Sequence, residues 1–98
     1  MEIIKKIDGT KCDIVLKGRL DTTTAPQLEA ELKTSLNNIT ELVICLKDLE
    51  YISSAGLRVL LAAQKVMSAQ GEMKVTNVRP EVYEVFEITG FTDILTII

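Results

Sequence analysis

The sequence predicts a small mixed α/β sheet, mostly parallel, that begins with an antiparallel hairpin. Segments with strand-like and helix-like apolar patterns follow one another in the order β-β-α-β-α-β-α-β. Since helical crossovers join the later strands, those strands should run parallel. The length of 98 residues, with 47% hydrophobic and 26% charged residues, suits one globular domain with a single core. We therefore expect a single α/β domain over residues 1–98.

The first half of the chain predicts a hairpin followed by a helix. Strands are expected over residues 2–7 and 12–18, joined by a turn at Asp8-Gly9. Thr24 to Gln27 has the Thr-x-x-Gln pattern of a capping box, with Pro26 in the first turn. A helix should run from there to about Asn37-Asn38. Its apolar stripe is Ala25, Leu28, Leu32, Leu36 and Ile39.

The second half predicts two more helices that alternate with strands. Residues 41–46 form a continuous apolar run, which is typical of a strand covered on both faces. A loop over residues 47–53 should lead into a long helix that stops near Gln70-Gly71, and a strand is expected over residues 72–76. Pro80 and Gly90 bound a third helix, and residues 93–98 predict a final strand.

Composition excludes several classes of function. Eleven basic and 14 acidic residues give a net charge of −3, so no basic stripe for nucleic acid is expected. The chain has no histidine, which removes Ser-His-Asp triads, Cys-His pairs and HExxH metal sites. Neither a GxGxxG nor a GxxxxGK[ST] motif is present. The sequence therefore predicts a protein that is not an enzyme and needs no cofactor or metal.

The cysteines and the hydropathy predict a cytoplasmic protein. Cys12 and Cys45 lie in apolar runs, without the CxxC spacing of a metal site, and should be buried and reduced. No stretch reaches the roughly 18 apolar residues of a membrane span. We expect a cytoplasmic chain that is a monomer or a weak dimer.

Two polar segments follow strands and are the candidate sites, residues 18–24 and 47–57. Ser53 and Ser54 precede the long helix, and either hydroxyl could cap it. Gly56 costs roughly 1 kcal/mol in a helix relative to alanine, which indicates that something approaches the backbone there. Asp21 is expected to make a local Asx-type turn. Asp21, Asp48 and Glu50 together are only a weak signal for a cation.

The long helix is apolar over more of its circumference than one sheet face can bury. Two explanations stay open: the helix is packed between neighbouring elements, or an apolar flank beside Arg58 contacts a partner protein. The residues concerned are Leu57, Val59, Leu60, Leu61, Ala62, Ala63, Val66 and Met67.

Several motifs together resemble the STAS-domain family of anti-sigma-factor antagonists. They are Gly18-Arg-Leu-Asp21, then Leu46-Lys-Asp48-Leu-x-x-Ile52-Ser-Ser54-Ala-Gly56-Leu57, then Gly71-Glu-Met, Pro80, and Phe86-x-x-x-Gly90-Phe91. The resemblance covers essentially the whole chain, in the right order and at the right spacing. It implies a STAS-like fold.

The resemblance also implies a phosphorylation switch. In that family the unphosphorylated domain binds an anti-sigma factor, often itself a serine kinase, and so frees the sigma factor. Serine phosphorylation abolishes this binding, and a phosphatase restores it. The family's serine corresponds to Ser54, and Ser53, where many members carry Asp or Thr, is the alternative acceptor. The expected partner-binding residues are Asp21, Thr22, Asp48, Ser53, Ser54, Ala55, Gly56, Leu57, Arg58 and Leu61.

Two other functions remain to be weighed against the switch. The same fold would serve as a constitutive STAS subunit of a transporter, lipid-trafficking or scaffold complex, with a stable partner and no phosphate cycle. A small enzyme or nucleotide-binding domain on the same sheet is disfavoured, because histidine and a phosphate-binding loop are both missing.

Overall fold

The computed structural model describes residues 1–98 as one four-stranded sheet with three α-helices. The elements in chain order are β1 (Glu2–Asp8), β2 (Lys11–Leu20), α1 (Ala25–Ser35), β3 (Glu41–Ile52), α2 (Ser54–Gln70), β4 (Glu72–Thr76), α3 (Pro80–Thr89) and a 3₁₀ turn (Phe91–Asp93). Both prolines open a helix, as the sequence predicts. Gly90 ends α3 in the left-handed conformation, at a φ of 80°.

The strands are ordered β1-β2-β3-β4 across the sheet. The β1–β2 pair is antiparallel, and the β2–β3 and β3–β4 pairs are parallel. The hairpin turn between β1 and β2 contains Gly9 at a φ of 61°, a conformation that glycine adopts without strain. The predicted fold class, a mostly parallel sheet with an N-terminal antiparallel hairpin, is confirmed.

One face of the sheet carries the core. Because both crossovers step in the same direction across the sheet, right-handed connections put α1 and α2 on the same side. Burial alternates along β3, where Val43 and Cys45 stay partly exposed. The prediction that this strand is covered on both faces is therefore wrong. The buried residues on the core face of β2, β3 and β4 include Ile14, Leu16, Leu42, Ile44, Leu46, Met73 and Val75.

Strands β2 and β3 are longer than the sequence predicts. The segments expected as loops, residues 18–20 and 47–52, continue the strands as far as Leu20 and Ile52. They remain paired, with Arg19 opposite Tyr51 and Leu20 opposite Ile52, across two irregularities in register. Bulges of this kind interrupt the alternation on which strand prediction depends, which explains the difference.

The predicted final strand is reduced to a single parallel bridge between Val75 and Ile97. Two hydrogen bonds form it, from Val75 N–H to Thr96 O at 2.8 Å and from Ile98 N–H to Val75 O at 3.0 Å. Residues before it form the 3₁₀ turn, in which Phe91 stacks on the buried Phe86 with ring centroids 6.4 Å apart.

The two cysteines are free thiols in different surroundings. Cys12 is fully buried, as predicted, and burial raises the pKa of its thiol. Cys45 is only partly buried, contrary to the prediction. Burial raises the pKa of the Cys45 thiol as well, but hydrogen bonds outweigh this effect and the pKa falls below its ordinary value. The side chain of Asn77 donates one of them at 3.3 Å. No helix is long and apolar enough to cross a membrane.

The start of β4 gives the first testable prediction. A Cβ added at Gly71 would overlap the backbone carbonyl of Thr40, which cannot move without distorting the sheet. Gly71→Ala should therefore lower the free energy of unfolding by about 3 kcal/mol. Gly9→Ala is the matched control, because its added Cβ meets nothing and only the left-handed backbone costs about 1 kcal/mol. Urea unfolding measures both, and equal losses would contradict this packing.

Candidate partner-binding site

The extended ends of β2 and β3 place the starts of α1 and α2 side by side. The Ser53 N–H donates to Leu20 O at 2.9 Å and joins the two strand ends. A Cβ at Gly56 would lie 2.7 Å from Leu20 Cγ and 2.9 Å from Ile52 Cγ1. The close approach that the sequence predicts at Gly56 is confirmed, and the approaching groups belong to the protein's own core.

Asp21 forms the predicted Asx-type turn at the start of α1. Its Oδ1 accepts hydrogen bonds from the Thr23 N–H at 3.0 Å, the Thr24 N–H at 3.1 Å and the Thr23 hydroxyl at 2.7 Å. The Thr23 hydroxyl contributes most to lowering the pKa of Asp21 below its ordinary value. A depressed pKa stabilises the fold above the unfolded pKa of about 3.9, and this contribution is lost as the pH falls through the folded value.

Thr24 occupies the position before α1 but does not cap it, contrary to the prediction. Its hydroxyl donates to Arg19 O at 2.8 Å and accepts from the Asp21 N–H at 2.8 Å. Because the side chain turns back to the end of β2, it ties the Asp21 turn to the strand.

The two adjacent serines have different roles. Ser53 is the N-cap of α2, and its Oγ accepts from the Gly56 N–H at 3.4 Å. Ser54 is the first residue of the helix and is exposed. No side-chain hydrogen bond involves Ser54, whereas Ser53 is half-buried. The interpretation that a serine simply caps the helix therefore applies to Ser53 and leaves the hydroxyl of Ser54 free.

The predicted partner-binding residues fall into three groups by exposure. Thr22, Ser54 and Arg58 are exposed. Gly56 and Leu57 are buried, with Leu57 only 6% exposed, so they hold the helix in place and present no surface. Asp48 lies within β3, opposite Lys17 of β2. The remaining members are partly exposed: Asp21, Asp48, Ser53, Ala55 and Leu61.

The acidic residues of the two segments do not make a metal site. No three Asp, Glu or Cys side chains of the chain lie close enough together to hold an ion. Asp21, Asp48 and Glu50 therefore remain separate side chains.

The apolar helix is packed between neighbouring elements over only part of its surface, and contact of the rest with a partner stays a prediction. Val59 and Ala63 of α2 are buried, whereas Val66 is 45% exposed at the border with α1. An open groove of about 310 Å³ runs between the two helices there. Near the helix starts, Arg58 and Thr22 line a second cleft of about 210 Å³.

Sequence reasoning missed Tyr51 at this end of the sheet. The guanidinium of Arg19 lies 4.2 Å above the centre of the Tyr51 ring, a cation–π contact. Arg19 Nε is also 3.9 Å from Asp21 Oδ2. These contacts depend on the register of β2 against β3, for which the sequence carries no signal.

The comparisons with known proteins agree with this geometry. The family model for the STAS domain matches residues 2–98. The chain belongs to the STAS-domain family.

Two relatives are assigned as antagonists of anti-sigma factors. BtrV of Bordetella bronchiseptica, assigned as an anti-sigma factor antagonist, is 44% identical over 94 residues, covering 94% of this chain and 80% of that protein. The anti-sigma-B factor antagonist of Bacillus subtilis is 35% identical over 83 residues, covering 84% of this chain and 76% of that protein.

Solved structures share the fold at low sequence identity. An anti-sigma factor antagonist from Mycobacterium paratuberculosis superposes with a TM-score of 0.88 at 22% identity, covering 98% of this chain and 83% of that one. Unphosphorylated SpoIIAA has a TM-score of 0.77 at 19% identity, covering 99% of this chain and 87% of that one. A sulfate transporter family protein from Wolinella succinogenes has a TM-score of 0.76 at 16% identity, covering 91% and 74%.

The different roles of the two serines give the second prediction. Ser53→Ala removes the cap of α2 and should lower the free energy of unfolding by about 1 kcal/mol. Ser54→Ala removes no hydrogen bond and should change it by less than about 0.5 kcal/mol. Urea unfolding of the two variants side by side measures the difference. A larger loss for Ser54→Ala would show that Ser54 is the structural residue.

Proposed function

We propose that this protein is an anti-sigma factor antagonist switched by phosphorylation of Ser54. In its unphosphorylated form it binds an anti-sigma factor of the serine-kinase type and so releases the sigma factor. The observation that carries the proposal is the exposed hydroxyl of Ser54, free of hydrogen bonds beside the capping Ser53. The relation to anti-sigma factor antagonists supports the choice of partner.

The phosphorylation step requires an accessible hydroxyl. The Ser54 Oγ attacks the γ-phosphorus of ATP, an O–P bond forms as the bond to ADP breaks, and the hydroxyl proton passes to a base of the kinase. Ser54 meets this requirement because its side chain is exposed at the first position of α2. Ser53 meets it less well, since the residue is half-buried and its Oγ accepts from the Gly56 N–H. A phosphatase would reverse the switch by hydrolysing the phosphate ester.

Phosphorylation at this position changes the surface without disturbing the core. The phosphate adds about −1.5 to −2 charges at pH 7. Charge of that size, placed in an interface, must be desolvated and repels acidic groups of a partner. The start of α2 tolerates the charge, because unpaired backbone N–H groups there favour anions. Gly56 and Leu57, which anchor the helix, lie beneath the surface and are not affected.

The third prediction separates loss of binding from loss of fold. Ser54→Asp should weaken binding to the anti-sigma factor at least tenfold, because it places a negative charge on the contact surface. Its melting temperature should stay within a few degrees of the unmodified protein. Isothermal titration with the purified anti-sigma factor of the same organism measures the binding. Ser68→Asp is the matched control, because Ser68 is exposed on the same helix about 21 Å along its axis.

Two outcomes would count against this account. If Ser54→Asp unfolds the domain, Ser54 is a structural residue and its phosphorylation would destroy the protein rather than switch it. If Ser68→Asp weakens binding as much as Ser54→Asp, the effect is one of net charge and not of this site.

The fourth prediction concerns the unmodifiable variant. Ser54→Ala should bind the anti-sigma factor within about threefold of the unmodified protein and take up no phosphate from the kinase and ATP. Mass spectrometry after incubation with the kinase measures the transfer. Phosphate incorporated into Ser54→Ala at the normal rate would move the acceptor to Ser53.

A second candidate function is a constitutive STAS subunit of a transporter or other complex. The observation that supports this second function is the fold shared with the Wolinella succinogenes sulfate transporter family protein. Such a subunit would bind its partner equally well before and after treatment with the kinase. Titration of the partner with the unsubstituted protein, before and after incubation with the kinase and ATP, therefore discriminates the two functions.

A further inference from the structure

Arg58 differs from the other arginines of the chain in having no carboxylate partner. Arg19 Nε lies 3.9 Å from Asp21, and Arg79 Nε lies 2.8 Å from Glu81. Arg58 is exposed, and its side chain forms neither an ion pair nor a hydrogen bond. The guanidinium of Arg58 therefore has no polar partner in the unmodified protein.

Ser54 and Arg58 lie on the same face of α2, one turn apart. The helix is continuous over Ser54–Gln70, so residues four apart have Cβ atoms about 5–6 Å from each other. Both side chains are exposed. An anion four residues before a cation is also the orientation that stabilises a helix most. A charged group on Ser54 would therefore lie within reach of the Arg58 guanidinium.

Neighbouring charges do not compete strongly for this pairing. Glu29 of α1 lines the same cleft as Arg58, but its carboxylate lies 3.9 Å from Lys33. Lys65, which is also exposed on α2, lies about 16 Å from Ser54 along the helix axis and is out of reach. Of the two cations on α2, Arg58 is thus the one that a phosphate on Ser54 can reach.

We propose that Arg58 binds the phosphate of phosphorylated Ser54 and holds it against the side of α2. This inference rests on the proposed phosphorylation of Ser54. The planar guanidinium can donate two parallel N–H bonds to two phosphate oxygens, which an ammonium group cannot match in geometry. Arg58 acts here as a positioning residue for the modified side chain.

The pairing alters the switch in a specific way. Phosphorylation then changes the partner-facing surface twice, since it adds a negative group and also takes the free guanidinium of Arg58 out of that surface. A partner that contacts Arg58 in the unphosphorylated form loses that contact as well.

The test uses full-length protein with phosphoserine genetically encoded at position 54, so that no kinase is needed. A ³¹P NMR titration at low ionic strength gives the second pKa of the phosphate, which is about 6 in a free phosphoserine. Arg58→Gln should raise this pKa by about half a unit relative to the unsubstituted phosphoprotein, a loss of about 0.7 kcal/mol. Lys65→Gln, the matched control, should leave it unchanged, and Arg58→Lys should restore part of the shift.

Each outcome decides the question. An identical titration in Arg58→Gln and the unsubstituted phosphoprotein would overturn the pairing, and an equal rise in Lys65→Gln would reduce it to a general charge effect. Failure of the kinase to modify Ser54 would overturn the proposed function, yet it would leave this titration unchanged. The two proposals therefore fail separately.

Discussion

The close contact of the Gly56 backbone with Leu20 and Ile52 determines the arrangement of the site. No Cβ fits between α2 and the joined ends of β2 and β3. Helix α2 consequently starts directly on the sheet, and Ser54 projects from its first turn. The same contact places the Asp21 turn beside the start of α2, because Leu20 precedes Asp21 in the chain. Exposure of the site is thus a consequence of how tightly the residues beneath it pack.

The different roles of Ser53 and Ser54 follow from this contact. A helix that starts on a sheet must satisfy its first N–H groups, and Ser53 does so for Gly56. The side chain of the next residue, Ser54, is exposed and makes no hydrogen bond. Phosphorylation of Ser54, as proposed, would therefore leave the capping hydrogen bond of Ser53 intact.

Much of the fold could be predicted from local signals in the sequence. Pro26 and Pro80 open helices, and Gly90 closes one, because backbone geometry at these residues is restricted or unusual. The features that could not be predicted depend on contacts between residues far apart in the sequence. The pairing of Arg19 with Tyr51 depends on strand register across two bulges, and the predicted final strand is only a single bridge between Val75 and Ile97.

The candidate site was predicted in part for the same reason. Local chemistry identified the Asp21 turn and the two serines, but it could not tell which serine caps, since both positions satisfy the pattern. Nor could it separate Leu57, which is buried, from Arg58, which is exposed, without the orientation of α2 on the sheet. Residue type shows what a side chain can do, and packing decides whether it is available.

We propose that Ser54 carries a reversible phosphate in the cell. Intact-mass measurement and phosphopeptide mapping of the protein purified from its native cells, in growth and in stationary phase, test it most directly. We predict one phosphate, located on Ser54, in a fraction that changes between the two conditions. An unmodified chain under both conditions would contradict the switch and favour a constitutive subunit in which Ser54 is only the first residue of a helix.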